Sequence, residues 1–281
     1  MSIADKTVLV TGATDGVGRL AALELARAGA RVLLHGRSEE KGAAVLAEIR
    51  AATGSDRLEF LRADLAALAE VRELAAQVLR TTDRLDILVN NAGVGSKSRG
   101  VSGRETSRDG HELRFAVNYL APFLLTHLLL ATIRRSAPAR IVNVASAGQQ
   151  AIDFDDVMLT QSYDGTRAYC QSKLAQILFT VDLADALKGA GVTVNSLHPA
   201  SYMATTMVRE AGVSPWSTVE EGAAAILNLA ISPDLAGRSG LYFDGLRESR
   251  ANSQAYDARA REKLRALSFQ LTGLVSPSHQ P

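Results

Sequence analysis

Lys6-Thr7-Val8-Leu9-Val10-Thr11-Gly12-Ala13-Thr14-Asp15-Gly16-Val17-Gly18 is the stretch from which the fold is read. Lys6 to Val10 is a short, β-branched apolar run, the composition of a buried strand. It leads directly into three glycines, Gly12, Gly16 and Gly18. Leu20, Ala21, Leu23, Leu25 and Ala26 then mark an apolar helical face that ends near Gly29, and Arg31 to His35 is a second apolar strand. Strand, glycine-rich turn, helix and strand make a βαβ unit, right-handed in nearly all cases. Gly12 permits the tight turn off the strand. Gly16 and Gly18 let the backbone approach a pyrophosphate and let the helix pack on the strand. The helix N-terminus offers free N–H groups and a partial positive charge. Between strand and helix, this turn points to a dinucleotide; elsewhere it would be an ordinary glycine turn.

Outward from this unit, strands and helices alternate. Strands are expected at Leu58 to Leu61, Leu85 to Val89, Arg140 to Val144, Val192 to Leu197 and Leu241 to Phe243. Helices are expected at Ser38 to Ala52, Leu65 to Leu79, His111 to Ile133, Thr166 to Lys188, Glu220 to Ala230 and Ala258 to Leu271, with Thr272 to Pro281 frayed. Asn118 falls in an apolar helical face and must find a partner; Pro122 should kink the helix nearby. No repeat or linker interrupts the pattern. The expectation is α/β: one doubly wound Rossmann domain over 1–281, with a mostly parallel sheet of about seven strands. Two segments lack periodicity. Val94 to Gly110 is polar and basic, a surface loop. Ser201 to Val219, with Met203, Met207, Val208 and Trp216, follows a strand's C-terminal end and is read as a lid over a fairly apolar substrate.

The second strand ends Leu34-His35-Gly36-Arg37. An NAD-selective site usually has an acidic residue here, bonded to ribose hydroxyls. Arg37 can instead pair with a 2′-phosphate, with no carboxylate to repel it. NADP(H) is therefore expected over NAD(H), although Asp15 works against a phosphate, and Arg37 read blandly is a solvated helix-start residue. Asp64, after the third strand, can accept from an adenine amino group, cap the next helix, or both. Asn90-Asn91-Ala92-Gly93 suits a ligand-facing strand end, or a turn.

The 281 residues carry a formal net charge of +1, so no global field points to nucleic acid, and 47% are hydrophobic, enough for a large core. The one cysteine, Cys170, excludes an internal disulfide and fits a reducing, cytoplasmic setting. The N-terminus has no signal-peptide pattern. The longest apolar candidate, Phe115 to Ile133, is interrupted by Asn118, Pro122 and His127, so no membrane span is expected. No metal-ligating pattern stands out.

Tyr169-Cys170-Gln171-Ser172-Lys173 places a tyrosine and a lysine on one face of a helix. A phenol normally titrates near 10, and an ammonium one turn away lowers that value, making it a usable proton donor or acceptor. Chance supplies such pairs easily; the rest of the chain must supply their partners. Ser146 lies at the end of the fifth strand, where ligands bind in such sheets.

With Thr11 to Gly18, Asn90 to Gly93, Ser146 and Tyr169/Lys173 in this order, the chain resembles the short-chain dehydrogenase/reductase family in its compact single-domain branch, over roughly residues 5 to 245. Asn118-Tyr119-Leu120, Ile141 to Val144 and Ala168 to Ala175 are most similar to retinol-dehydrogenase-like members. The resemblance implies an NADP(H)-dependent oxidoreductase interconverting a carbonyl and an alcohol. It makes Tyr169 the general acid/base and has Lys173 hold the nicotinamide ribose. Ser146 would hydrogen-bond the substrate oxygen, and Asn118 would hold a water linked to Lys173. It implies cofactor contacts at Gly12, Thr14, Gly16, Val17, Gly18, Arg37, Asp64, Leu65, Asn91, Ala92, Gly93 and Pro199. It also implies a homodimer or homotetramer pairing through 111–133 and 166–188. The family's Pro-Gly is Pro199-Ala200 here, and the step to a cofactor-touching threonine is stretched to Thr205 and Thr206. The other functional classes weighed are a catalytically silent cofactor sensor or scaffold, and a related epimerase or dehydratase.

Overall fold

The computed structural model describes residues 3–96 and 103–275. Its strands are β1 (Thr7–Val10), β2 (Arg31–Gly36), β3 (Leu58–Arg62), β4 (Ile87–Asn90), β5 (Ala139–Val144), β6 (Val192–His198), β7 (Tyr242–Asp244) and β8 (Arg247–Ser249). They form one sheet in the order β3-β2-β1-β4-β5-β6-β7-β8, parallel throughout except for the antiparallel β7–β8 pair. About seven strands were expected. The eighth is Arg-Glu-Ser beyond a turn at Gly245, too short and polar to show as an apolar run. The order reverses between β1 and β4, which opens a crevice at their C-terminal ends.

The helices are α1 (Gly16–Arg27), α2 (Glu39–Thr53), α3 (Leu68–Thr81), α4 (Leu113–Phe115), α5 (Ala121–Arg135), α6 (Gly165–Ala186), α7 (Thr206–Glu210), α8 (Val219–Ile231) and α9 (Ala258–Thr272). Strand alternation sorts them into two layers. Val8, Val10, Val32, Leu34 and Val89 face a core completed by α1, α2 and α8. Leu9, Leu33, Leu88, Ile141 and Val194 face the other, completed by α3, α5, α6 and α9. Both faces are covered, so the strands read as apolar runs rather than as half-polar ones.

Several expected boundaries shift for local reasons. The helix predicted from Leu65 begins at Leu68, because Asp64 does not cap it: its Oδ1 accepts from the N–H of Ala66 at 3.0 Å. The cap comes from Asp109, whose carboxylate accepts from the N–H of Leu68 at 2.9 Å. Residues 103–112 are thus tied down rather than loose; Arg108 also pairs with Glu70 at 2.7 Å. Residues 97–102 of the expected loop lie outside the described residues, as do 276–281 of the expected frayed end. The irregularity foreseen at Pro122 takes the form of a π-helical segment, Ala116–Leu120, just before the proline.

The helix running Leu113–Arg135 is long and apolar enough to cross a membrane by length and composition, so Asn118, Pro122 and His127 do not disqualify it as the sequence reading held. Yet 78% of its most apolar window is buried inside the fold. α9 lies across it: the Tyr119 and Ser268 hydroxyls are 2.6 Å apart, and the Phe123 and Phe269 rings 5.3 Å. Arg265 adds an ion pair to Asp182 of α6 at 2.6 Å. α9 thus covers part of the two helices through which the resemblance implied pairing between chains.

Candidate active site

The glycine turn is built by contacts far along the chain. Gly12 and Gly16 take positive φ, +66° and +52°, which a side chain would strain. The Asn91 amide donates to the carbonyl oxygens of Thr11 at 2.8 Å and Gly12 at 3.1 Å. A Cβ on Gly18 would stand 2.2 Å from that amide nitrogen. Asn91 therefore braces the turn through its side chain. The Thr11 hydroxyl completes the brace, accepting from the N–H groups of Asn91 and Ala92 at 2.9 and 3.0 Å. His35 does the same from β2: its Nδ1 accepts from Gly12 N–H at 3.3 Å while Nε2 donates to the Ala63 carbonyl at 3.1 Å. Burial lowers the His35 pKa to about 4, which keeps the ring neutral and in this tautomer. The sequence reading missed His35 and Thr11; both end strands that abut the turn.

At the N-terminus of α1, Asp15 accepts from Gly16 N–H at 2.7 Å. The N–H groups of Val17 and Gly18 donate to no described residue. At the end of β2, Thr14 packs onto Gly36 so closely that a Cβ there would meet its methyl at 2.5 Å. Arg37 is exposed, and its guanidinium makes no ion pair among the described residues. Asp64 is half-buried and Leu65 buried beyond β3, the former 3.9 Å from Arg108.

The second cluster lies at the C-terminal ends of β4, β5 and β6. The Asn118 side chain is fully buried and fully used: Oδ1 accepts from Val94 N–H at 2.7 Å, and Nδ2 donates to the Val94 carbonyl at 3.1 Å and to Ser172 Oγ at 2.9 Å. Lys173 is buried and donates to the Val144 carbonyl at 2.7 Å, with its ammonium 6.0 Å from the Tyr169 ring centre. Gly93 passes close by; a Cβ there would lie 3.1 Å from Asn118 Oδ1 and 3.4 Å from Lys173 Nζ.

Ser146, Gly148, Tyr169 and Cys170 converge. A Cβ on Gly148 would stand 3.5 Å from Ser146 Oγ, 3.7 Å from the Tyr169 ring and 3.3 Å from Cys170 Sγ. Ser146 Oγ accepts from Gly148 N–H at 3.0 Å, and its carbonyl accepts from Tyr242 and Gln149 at 3.1 and 2.9 Å. Pro199 is buried just beyond β6. The electrostatics differ from expectation. Desolvation pushes the Tyr169 phenol above its ordinary 10, opposed by a hydrogen bond with Ser146. Burial lowers Lys173 to about 8, because its charge has lost water. Protein groups alone thus raise the phenol that the Tyr–Lys spacing was expected to lower.

Sequence reasoning also missed a buried arginine one turn before Asn118. Arg114 donates to the carbonyls of Gly95 at 3.1 Å and Ser96 at 3.0 Å, and lies 3.4 Å from Glu112, which accepts from the Tyr163 hydroxyl at 3.0 Å. Together Arg114 and Asn118 hold the segment leaving β4; their shared helical face was the available signal.

The lid contains the short helix α7 and meets the glycine turn. Thr206 donates to Asp15 Oδ2 at 2.5 Å, and Arg209 donates to Thr206 at 2.9 Å. Thr205 caps α7, and a Cβ on Gly16 would meet its methyl at 3.0 Å. Both threonines therefore lie against the phosphate-side turn.

A phosphate-type turn on β1, a buried lysine one helical turn from a tyrosine, and a serine beside that tyrosine are now on one sheet edge. A family model described as short chain dehydrogenase matches residues 6–214. The chain belongs to the short-chain dehydrogenase family. It is 41% identical to human retinol dehydrogenase 13, over 99% of this chain and 87% of that protein. It is 38% identical to human retinol dehydrogenase 14, over 96% and 87%. Among solved structures, the Pseudomonas aeruginosa RhlG/NADP active-site complex matches with TM-score 0.70 and 31% identity, covering 86% of this chain and 95% of that one. A short chain dehydrogenase from Shigella flexneri complexed with NADP matches with TM-score 0.67 and 29% identity, over 86% and 97%. Membership establishes an oxidoreductase fold and class that binds a nicotinamide dinucleotide.

Proposed function

We propose that residues 1–281 form a single NADP(H)-dependent oxidoreductase domain that interconverts a carbonyl and an alcohol on a small, fairly apolar molecule. The observation that carries this reading is the convergence of Ser146 and Tyr169 beside a buried Lys173, at the same strand ends as the glycine turn.

The residues present fit a dinucleotide. Among the described residues the N–H groups of Val17 and Gly18 have no partner at this helix N-terminus, the arrangement that receives phosphate. Gly12, Gly16 and Gly93 let the backbone run close against Ala92, Thr205 and Asn118, where a side chain would crowd the turn and the strand ends. Leu65 and Asp64 border the adenine end, and Pro199 the nicotinamide end. For the 2′-phosphate, Thr14 over Gly36 leaves no room for the carboxylate that would select NAD, and Arg37 stands free to pair. Two of the similar solved structures are NADP complexes, which supports this reading. When bound, the cofactor supplies or accepts the hydride at nicotinamide C4.

In reduction, Tyr169 gives its phenolic proton to the carbonyl oxygen as the carbon gains hydride; in oxidation it takes the alcohol proton. Ser146 donates to the same oxygen and stabilises its developing charge. A buried ammonium at Lys173 balances the phenolate left on Tyr169. The Asn118 amide is spent on Val94 and Ser172, so its backbone carbonyl is the group we assign to a water that returns the proton.

Steady-state assays with NADPH and NADH over a panel of aldehydes and ketones test both parts. Tyr169→Phe is expected to lower kcat by about 10²-fold or more while NADPH still binds; near-wild-type turnover sinks the assignment. Arg37→Ala is expected to raise KM for NADPH and leave KM for NADH nearly unchanged. Equal effects would reduce Arg37 to a solvated helix-start residue.

A further inference from the structure

The lid is closed at its root by its own backbone. Trp216 N–H donates to the Tyr202 carbonyl at 3.1 Å, Ser217 Oγ to the Ser201 carbonyl at 2.5 Å, and Met203 and Ser217 form a β-bridge. Residues 201–203 and 216–217 are therefore a zipped pair, not a loose tip. Met203 is its inward anchor: it is buried, and a Cβ on Gly222 would collide with its sulfur and touch Val17. Tyr202 and Trp216 point away from that anchor and pack on each other, ring centres 4.6 Å apart at 34°.

This aromatic pair serves no core. Trp216 is 73% exposed and Tyr202 43%. Tyr202 also has φ +48°, in the left-handed region that a bulky side chain rarely occupies. Such backbone strain persists only where surrounding bonds enforce it, and it gathers at ligand clamps. The zipper supplies the enforcement. The pair is also at the site. Ser201, its neighbour, is 3.0 Å from His198 at the end of β6.

We propose that Tyr202 and Trp216 form an aromatic clamp at the lid root that grips the extended apolar chain of the carbonyl or alcohol whose reactive end lies at Tyr169. The proposal rests on the carbonyl–alcohol reading above. Two stacked rings offer a large apolar surface with few rotatable bonds to order, suited to an extended chain laid against them rather than a small polar carbonyl. The clamp selects by length: a short aldehyde reaches Tyr169 without meeting it, and a long one occupies both.

Trp216 is the one tryptophan of the chain, so its emission reports directly on the clamp. In the full-length protein with NADPH, kcat/KM is measured for propanal and decanal, and 1-decanol is titrated against Trp216 fluorescence. The decanal-to-propanal ratio of kcat/KM is expected to fall about tenfold in Trp216→Ala and Tyr202→Ala through KM, and to return in Trp216→Phe. Decanol is expected to shift Trp216 emission saturably in wild type and in Tyr169→Phe, where turnover is lost. An unchanged ratio in both alanine variants, or emission that decanol leaves unmoved while inhibiting competitively, overturns the clamp. So does emission that responds to phosphatidylcholine vesicles and not to decanol, which would make the pair a lipid contact. Absence of turnover with every aldehyde, with the decanol shift intact, supports the clamp and overturns the catalytic reading instead.

Discussion

Burial takes the Lys173 ammonium from 10.5 to about 8, and the sign of that shift makes a stability prediction. Between about pH 8 and 10.5 the unfolded chain binds the proton more tightly than the folded one, so stability contributed by this group rises with pH across that window. Below it, the folded state carries the full cost of a buried charge, on the order of 3 kcal/mol as an upper bound. Lys173→Met is therefore expected to be more stable than wild type at pH 7 while losing activity. The difference should shrink as pH approaches 10, as read from urea midpoints at both pH values. A variant less stable at pH 7 would mean that the bond to Val144 outweighs desolvation. The same accounting explains why the Tyr–Lys spacing alone misjudged Tyr169. A neighbouring cation lowers a phenol, but water removed from the whole pocket raises it further.

At the scale of elements, the lid and the glycine turn are one assembly. Asp15, which the sequence marks as a poor neighbour for phosphate, caps α1 with one oxygen and receives Thr206 with the other. Thr206→Val removes the latch and leaves the cap. It is expected to speed proteolytic cleavage within 203–217 several-fold and to raise substrate KM by about 3- to 10-fold, since a closed lid positions what it covers. Unchanged cleavage and KM would show that Met203 and the zipped root hold the lid unaided. Asp15→Ala is the harsher change, because losing the cap costs about 1 kcal/mol as well. The helix from Leu113 to Arg135 shows a related economy: its π segment carries Asn118 just before Pro122.

For the whole molecule, α9 decides which surfaces are available. It covers Tyr119, Phe123 and Phe179, the aromatic face of α5 and α6. Association through that face requires α9 to leave. The full chain is expected to remain unassociated through it, and truncation after Tyr256 to expose the aromatic cluster and drive self-association, measured by light scattering on a sizing column. A full-length oligomer broken by Phe123→Glu, with α9 intact, would refute this.

The β-α alternation, the parallel doubly wound sheet and the dinucleotide turn were legible along the chain. Each follows from short-range rules: apolar periodicity, and glycine where backbone must take positive φ or come close. Ser146, Tyr169 and Lys173 were nameable for the same reason, each set at a strand end or on one helix face. The rest depended on meetings between distant residues. Asn91 reaches Gly12 across 79 positions, and Thr206 reaches Asp15 across 191. Asp109 caps α3 across 41, while Asp64, the residue local rules chose, turns back on Ala66. Hydrogen bonds are short and directional, so which donor finds which acceptor is settled only when packing brings their backbones together. Burial is likewise a property of the assembled layers. It lowered the proton affinity of His35 and Lys173 and raised that of Tyr169, left Tyr202 and Trp216 uncovered, and placed α9 over helices that composition alone would have left free.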